Sequence, residues 1–278
     1  MLDAMITLAQ ANICMPRTPL PANMRNNPKF FPYFKDCIGA IDGSHYPACP
    51  PADAHDVYRN RKGDISINVL IACDFSGRFI YVLAGWEGSA HDWKVYEDAI
   101  RKDLVIPEGK YLLADAGFHN SHRLLVPFRG IRYHLQETAR SGLRPRTAEE
   151  LYNLRHSQFR INVEILLGRH KGCFRILTAR PCFSVPIQVK VIYATAGLIN
   201  WMMENGIEIP WRNESPVESL LGNNAIEEAA SPMRFRAREL RADEEGIQGQ
   251  LRRKIANDMY HGYLRHLEDM EMEGTEGE

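Results

Sequence analysis

Two apolar runs joined by a tight turn constrain this chain most. Ile65-Ser-Ile-Asn-Val-Leu-Ile-Ala72 begins with alternation and ends continuously apolar, and Phe79-Ile-Tyr-Val-Leu-Ala84 comes after Asp74-Phe-Ser-Gly77. β-Branched and aromatic residues dominate both runs, while Asp, Ser and Gly in the connection favour a turn, so the second run returns antiparallel to the first. Upstream, Cys37-Ile-Gly-Ala-Ile41 is a third short run, cut off by Asp42-Gly43-Ser44. Three strands in succession predict an antiparallel meander.

The helical patterns downstream make the class α/β. Trp93, Tyr96, Ala99 and Ile100 share one helical face over Asp92 to Ile100. A fourth strand, Tyr111-Leu-Leu-Ala114, ends at Asp115-Ala116-Gly117. Thr147, with Glu150 three positions on, is a capping box opening a helix to about Leu167 that buries Tyr152, Phe159, Val163 and Leu166. Another helix spans roughly Val185 to Glu204; Gln188, Lys190 and Asn200 interrupt its apolar run, so it reads as a buried helix and not a membrane span. Residues 119–146 carry Gly, Pro and many Arg without period and read as irregular and exposed. The order of elements predicts a mixed sheet flanked by helices.

With 278 residues the chain can support one large domain and an appendage. Residues 1–33, a short helical pattern on Leu2, Met5 and Leu8 and then a Pro/Asn-rich connection, read as a leader. Residues 34–213 read as the domain, and residues 214–278 as a charged tail, helical or disordered. Met1 to Gln10 lacks the basic start and long apolar core of a signal peptide. The six cysteines form no C-x-x-C pair, which fits reduced thiols better than a disulfide framework or a zinc finger.

Asp42 closes the first strand and Asp115 the fourth, so adjacent placement of those strands would set the carboxylates side by side. Glu164 lies one residue past the buried Val163, and a helix laid across the sheet edge would bring it to the same point. Hard divalent cations such as Mg²⁺ or Mn²⁺ take oxygen ligands, and two ions about 3.5–4 Å apart activate water and stabilise the leaving oxygen in phosphodiester cleavage. Taken singly each residue is ordinary: an Asp before Gly is a turn or cap, and a helical Glu is a solvated surface group.

The surrounding residues carry more. Gly39-Ala-Ile-Asp42-Gly-Ser-His45, Tyr58-Arg-Asn-Arg-Lys-Gly63, Asn68-Val-Leu-Ile-Ala-Cys-Asp74, Gly88-Ser-Ala-His-Asp92, Leu112-Leu-Ala-Asp115-Ala-Gly-Phe118 and Val163-Glu164-Ile-Leu-Leu-Gly168 resemble, in order, the PIF/Harbinger superfamily of DDE transposases. The resemblance covers about residues 36–205. It implies an RNase H-like fold, two divalent ions (Mg²⁺ or Mn²⁺), and cutting and joining of DNA at transposon ends. Carried over, the catalytic and metal-binding triad is Asp42, Asp115 and Glu164, with Asp92 as an auxiliary metal position. Ala114-Asp115-Ala116 departs from the more usual Gly-Asp-Ser and leaves the ligand intact. The thirty-odd residues before Phe34 are shorter than the family's usual helix-turn-helix segment, so the resemblance leaves three expectations open: a truncated product, a domesticated one, or one that depends on a separate, Myb-like DNA-binding companion protein. A nuclear location and a homo-oligomer are further expectations.

Tyr58-Arg59-Asn60-Arg61-Lys62-Gly63 reads as a solvated turn or, with the resemblance, as a phosphate clamp; Arg160, Arg169 and Lys171 join Arg59, Arg61 and Lys62 as nucleic-acid contacts. His119 and His122 are spaced for zinc but lack a matching second pair, and fit a polar rim better. His45 and His91 flank the acids as outer-shell donors or structural groups. No phosphate-binding glycine loop or Gly-x-Ser-x-Gly elbow occurs. The alternative reading is a domesticated DNA- or protein-binding adaptor without catalysis, which would have no need of three carboxylates.

The formal net charge of -1 argues against nucleic acid only as an average. Residues 1–213 hold 26 Lys+Arg against 20 Asp+Glu, residues 214–278 hold 8 against 15, and residues 117–180 hold 12 against 4. A basic surface beside the acids, shielded by the acidic tail, is the expectation.

Overall fold

The structure, a computed structural model, describes residues 1–16, 20–121, 123–131, 144–209 and 246–275. Helices α1 (Leu2–Asn12) and α2 (Ala22–Arg25) precede strand β1 (Cys37–Pro47). The one-turn α3 (His55–Tyr58) leads to β2 (Ser66–Cys73), β3 (Phe79–Glu87), α4 (Asp92–Lys102), β4 (Tyr111–Leu113) and β5 (Leu124–Leu125). Three long helices complete the order: α5 (Ala148–Cys173), α6 (Val185–Glu204) and α7 (Ile247–Thr275).

The five strands form one mixed sheet in the order β3-β2-β1-β4-β5. β1 and β2 pair antiparallel, as do β2 and β3, whereas β4 runs parallel to β1 and β5 parallel to β4. The meander is therefore as expected, and its turn closes when the Asp74 Oδ1 accepts bonds from Ser76 N (2.9 Å) and Arg78 N (3.0 Å), an Asx-type cap. Period-two alternation divides the sheet's side chains between two cores. Cys37, Ala40, Ile67, Val69, Ile71, Tyr111 and Leu113 face α5 and α6, while Ile38, Ile41, Leu70, Ala72 and Leu112 face α4.

On the α5 side Phe159 is fully buried among rings, with Phe30, Phe34 and Phe75 centred 4.2, 5.0 and 4.7 Å away. Burying one such ring is worth roughly 1.5–3 kcal/mol, so this cluster fixes the helix on the sheet. At the start of α5 Glu150 N donates to Thr147 Oγ1 (3.2 Å), while the Glu150 carboxylate reaches back to Arg146 N (2.7 Å). That is the predicted capping box with its return bond moved one residue upstream. Asn200 of α6 is also accounted for. Asn200 accepts from Phe79 N (2.8 Å) and donates to Phe79 O (2.7 Å) and Asn12 O (3.0 Å), tying helix to sheet and to α1. No helix among the described residues is long and apolar enough to cross a membrane.

Three features differ from what the linear pattern implies. Within residues 119–146, expected to be irregular and exposed, Leu124, Leu125, Val126 and Phe128 are buried, and β5 extends the sheet. A two-residue strand shows no periodicity, so only the short apolar run marked it. Residues 1–33 do not stand apart: Ala9 is buried against Gly197 of α6, where any Cβ would fall 2.3 Å from the Ala9 Cα. From the tail, α7 packs on α5, burying Ile255, Ala256 and Met259 in the larger core. Arg252, 2% exposed, donates to Val126 O (3.2 Å) and Pro127 O (3.1 Å) and lies over the Phe128 ring. His122, residues 132–143 and the rest of the tail, 210–245 and 276–278, lie outside the described residues. The tail expected to shield the basic surface, residues 214–278, lies there too except for residues 246–275.

Candidate active site

The parallel register brings Asp42 and Asp115 together. Ala40 pairs with Leu113, so Asp42, two residues on in β1, and Asp115, two residues past the end of β4, come to the same level and, by alternation, to the α5 face. Ligands in open α/β sheets gather where parallel pairing ends, and here the β1–β4 pairing stops at Ala40 and Leu113, just before the two acids.

Helix α5 adds charge from above. Arg160 and Glu164 are one turn apart on the stripe that faces β1. Arg160 Nη1 donates to Asp42 Oδ2 at 2.9 Å, and Nη2 of the same guanidinium pairs with Glu164 Oε1. All three side chains are largely covered, Arg160 at 16%, Asp42 at 17% and Glu164 at 26% exposure. Burial pushes the Asp42 carboxyl up to about 7; Arg160 pulls it down, and Asp115, Asp92 and Glu164 push it up further. Three neighbouring carboxylates thus act on Asp42, and the Arg160 guanidinium opposes them. Among the described residues no three His, Cys, Asp or Glu side chains are gathered as a ready metal cluster. The donor chemistry nevertheless fits a hard divalent cation: the groups are oxygen-only acids on rigid elements, and their mutual repulsion calls for positive charge.

Asp92 approaches from the other side of the sheet. It opens α4, with His91 as the N-cap, and its carboxylate lies over the backbone of Gly43, where a Cβ would fall 2.2 Å from Oδ1. Glycine is required there for close approach, not for turning. Asn68 holds the carboxylate, donating to Asp92 Oδ1 (2.8 Å) and Ala90 O (3.0 Å), while its own Oδ1 is buried without a partner. Sequence reasoning missed Asn68, although an amide inside a fully buried apolar strand was the available signal. Asp115 Oδ1 accepts from Gly117 N at 2.9 Å, and Arg129 braces that turn by donating to Ala116 O and Phe118 O.

The basic residues separate into groups. Lys171 Nζ donates to Ser44 Oγ (2.7 Å) and sits 4.7 Å from the Tyr46 ring centre. Burial lowers its pKa to about 8, with Asp42 opposing that shift and Lys62 adding to it. Its platform is fixed from below. Thr195 donates to Val191 O (2.7 Å) and so accepts from His170 Nε2 (2.8 Å), which leaves Nδ1 to accept from Tyr46 OH (2.9 Å). Burial and then Lys171 hold His170 neutral by lowering its pKa to about 3. His45 bonds Ser66 Oγ at 3.1 Å, and burial and then Lys171, Lys62 and Arg61 lower its pKa. In the loop before β2, Asn60 Oδ1 accepts from Lys62 N (2.9 Å) and Asp64 N (3.0 Å), and Arg61 bonds His91 at the start of α4. Arg59 instead donates to Gly63 O within its own loop (3.0 Å), and Arg169 lies at the β2–β3 turn beside Gly77. The structure therefore sets Asp42, Asp115, Glu164, Arg160 and Lys171 on the α5 side of β1, Asp92 against Gly43 on the α4 side, Arg59, Arg61 and Lys62 in the loop before β2, and Arg169 by the β2–β3 turn. His119 stacks edge-on with Trp93 at 4.6 Å.

The DDE superfamily endonuclease family matches residues 41–200, more than half of the chain and every residue of this site. HARBI1 of Rattus norvegicus is 31% identical over 187 residues, covering 65% of this chain and 49% of that protein; HARBI1 of Homo sapiens is 28% identical over 179 residues, covering 62% and 47%. The ALP1-like protein of Arabidopsis thaliana is 27% identical over 162 residues, covering 51% of this chain and 36% of its own length. The chain spans about half the length, or less, of these curated relatives. No solved structure matches it. A mixed sheet with two acids just past the end of its parallel pairing, matched by that family from residue 41 through residue 200, places the chain among the DDE superfamily endonucleases.

Proposed function

We propose that the chain is the nuclease domain of a PIF/Harbinger-type transposase, RNase H-like in fold, cutting and joining phosphodiester bonds at transposon ends. The observation that carries this reading is the parallel register of Ala40 with Leu113, which brings Asp42 and Asp115, each two residues on, to one level, with Glu164 on α5 tied to Asp42 through Arg160. The strand order β3-β2-β1-β4-β5, with only β2 antiparallel to both neighbours, supports the RNase H-like assignment. Asp42, Asp115 and Glu164 would hold two Mg²⁺ or Mn²⁺ ions, with Asp92 as an auxiliary ligand or brace. Bound divalent ions supply a nucleophilic oxygen and stabilise the leaving one.

The chain's own residues do the rest. Strand and helix fix the acids on rigid elements, so little reorganisation accompanies reaction. Asn68 and Gly43 set how closely Asp92 approaches β1. Lys171, Arg61 and Lys62 bind backbone phosphates, with Lys171 aimed by the Tyr46–His170–Thr195 chain. Water is the nucleophile in cutting and a DNA 3′-hydroxyl in joining. A nuclear location, a Myb-like companion for end recognition and a homo-oligomeric form belong to the same proposal. Purified protein with Mn²⁺ is expected to nick DNA ending in its cognate inverted repeats, and Asp42→Ala to abolish nicking. Identical behaviour of the two proteins refutes the reading.

A further inference from the structure

Arg160 occupies the place where the acids need a cation. Its guanidinium joins Asp42 of β1 to Glu164 of α5, the two elements that a shared ion would have to join. Both Asp42 oxygens are engaged, Oδ1 by Gly43 N at 3.0 Å and Oδ2 by Arg160 Nη1 at 2.9 Å. A divalent ion seated on Asp42 and Glu164 requires oxygen distances of about 2.0–2.2 Å, and a guanidinium cannot stay between the same oxygens. It also brings twice the charge to a point where Asp115 and Asp92 already push against Asp42. The arginine stem is unbranched, and its head is suited to phosphate, so release from the acids leaves it a second partner on the same side of the sheet.

Resting on the nuclease reading, we propose that Arg160 is a displaceable counter-ion: it holds the acids in register without metal, and a divalent ion evicts it toward the DNA backbone. Metal binding and the availability of a phosphate-binding arginine are then one event. The acids stay preassembled through the metal-free state, and the cost of that order appears as weakened metal affinity.

Mn²⁺ titration of the full chain, followed by electron paramagnetic resonance of the free ion, tests this in wild type, Arg160→Gln, Arg160→Lys and Glu164→Gln. Arg160→Gln is expected to bind Mn²⁺ about tenfold more tightly, while melting at lower temperature without metal and gaining more on its addition. Arg160→Lys, which keeps one charge but cannot fork between two acids, is expected in between, and it answers the question if Arg160→Gln does not fold. Glu164→Gln is expected to weaken binding. Unchanged or weaker Mn²⁺ affinity in both Arg160 variants overturns the displacement while leaving the nuclease reading intact. Absence of Mn²⁺ binding in wild type and all variants overturns the metal site itself.

Discussion

Replacing Asp42 by Asn separates burial from charge at the site. The carboxyl moves from an ordinary 3.8 to about 7 in the fold, because burial and three neighbouring acids outweigh Arg160. A raised carboxyl pKa means that the folded state binds the proton more tightly than the unfolded chain. Stability is therefore full below about pH 4 and falls as pH rises through about 7, by up to about 1.36 kcal/mol per pH unit. Across that window of about three units the loss approaches roughly 4 kcal/mol, shared among the coupled acids of the cluster. Urea denaturation in EDTA at intervals from about pH 4 to about pH 8 measures it. Asp42→Asn should lose that slope, so its stability relative to wild type rises by several kcal/mol across that range. Saturating Mn²⁺ should reverse the ranking at the alkaline end, because only wild type gains the ion. Parallel stability curves for the two proteins in EDTA would refute the claim that burial and the neighbouring acids outweigh Arg160 at Asp42.

Gly43→Ala places a methyl 2.2 Å from Asp92 Oδ1, and the forced shift should cost about 1–3 kcal/mol in urea melts and lower Mn²⁺-dependent nicking. Arg252→Met removes two bonds to Val126 and Pro127 carbonyls, and should destabilise by about 2–3 kcal/mol and open α7 to limited proteolysis. Gly197→Val should displace α1, whose Ala9 Cα lies 2.3 Å from the new Cβ; faster hydrogen exchange in residues 2–12 checks it.

The strands and helices were readable wherever one local rule sufficed. Alternation marked β2 and β3, Thr147 and Glu150 marked the start of α5, and the span of α6 was legible to the residue. Boundaries were shorter than the elements at β1 and α5, because β1 runs past Asp42 through polar Ser44 and His45 and α5 continues through Arg169 to Cys173. The acids were legible through their surrounding motifs; their common level was not, since it depends on β1 and β4 being neighbours. Contacts at long separation stayed hidden: Ala9 on Gly197, Arg252 under β5, and Asn68 behind Asp92. Arg160 was visible as a cation beside the acids, and its fork between Asp42 and Glu164 required the helix to be docked.

The division of the sheet into two cores bears on how this protein can change. Side chains packing under α4 and those packing under α5 and α6 belong to separate sets, so a volume change in one set can be absorbed by its own neighbours. Gly43 interrupts that independence. With no side chain of its own, it lets an acid from the α4 layer rest against the strand whose next residue faces the α5 layer. Sequence drift on either face is therefore tolerated up to the point where it tilts α4 or β1, and from there both layers must vary together.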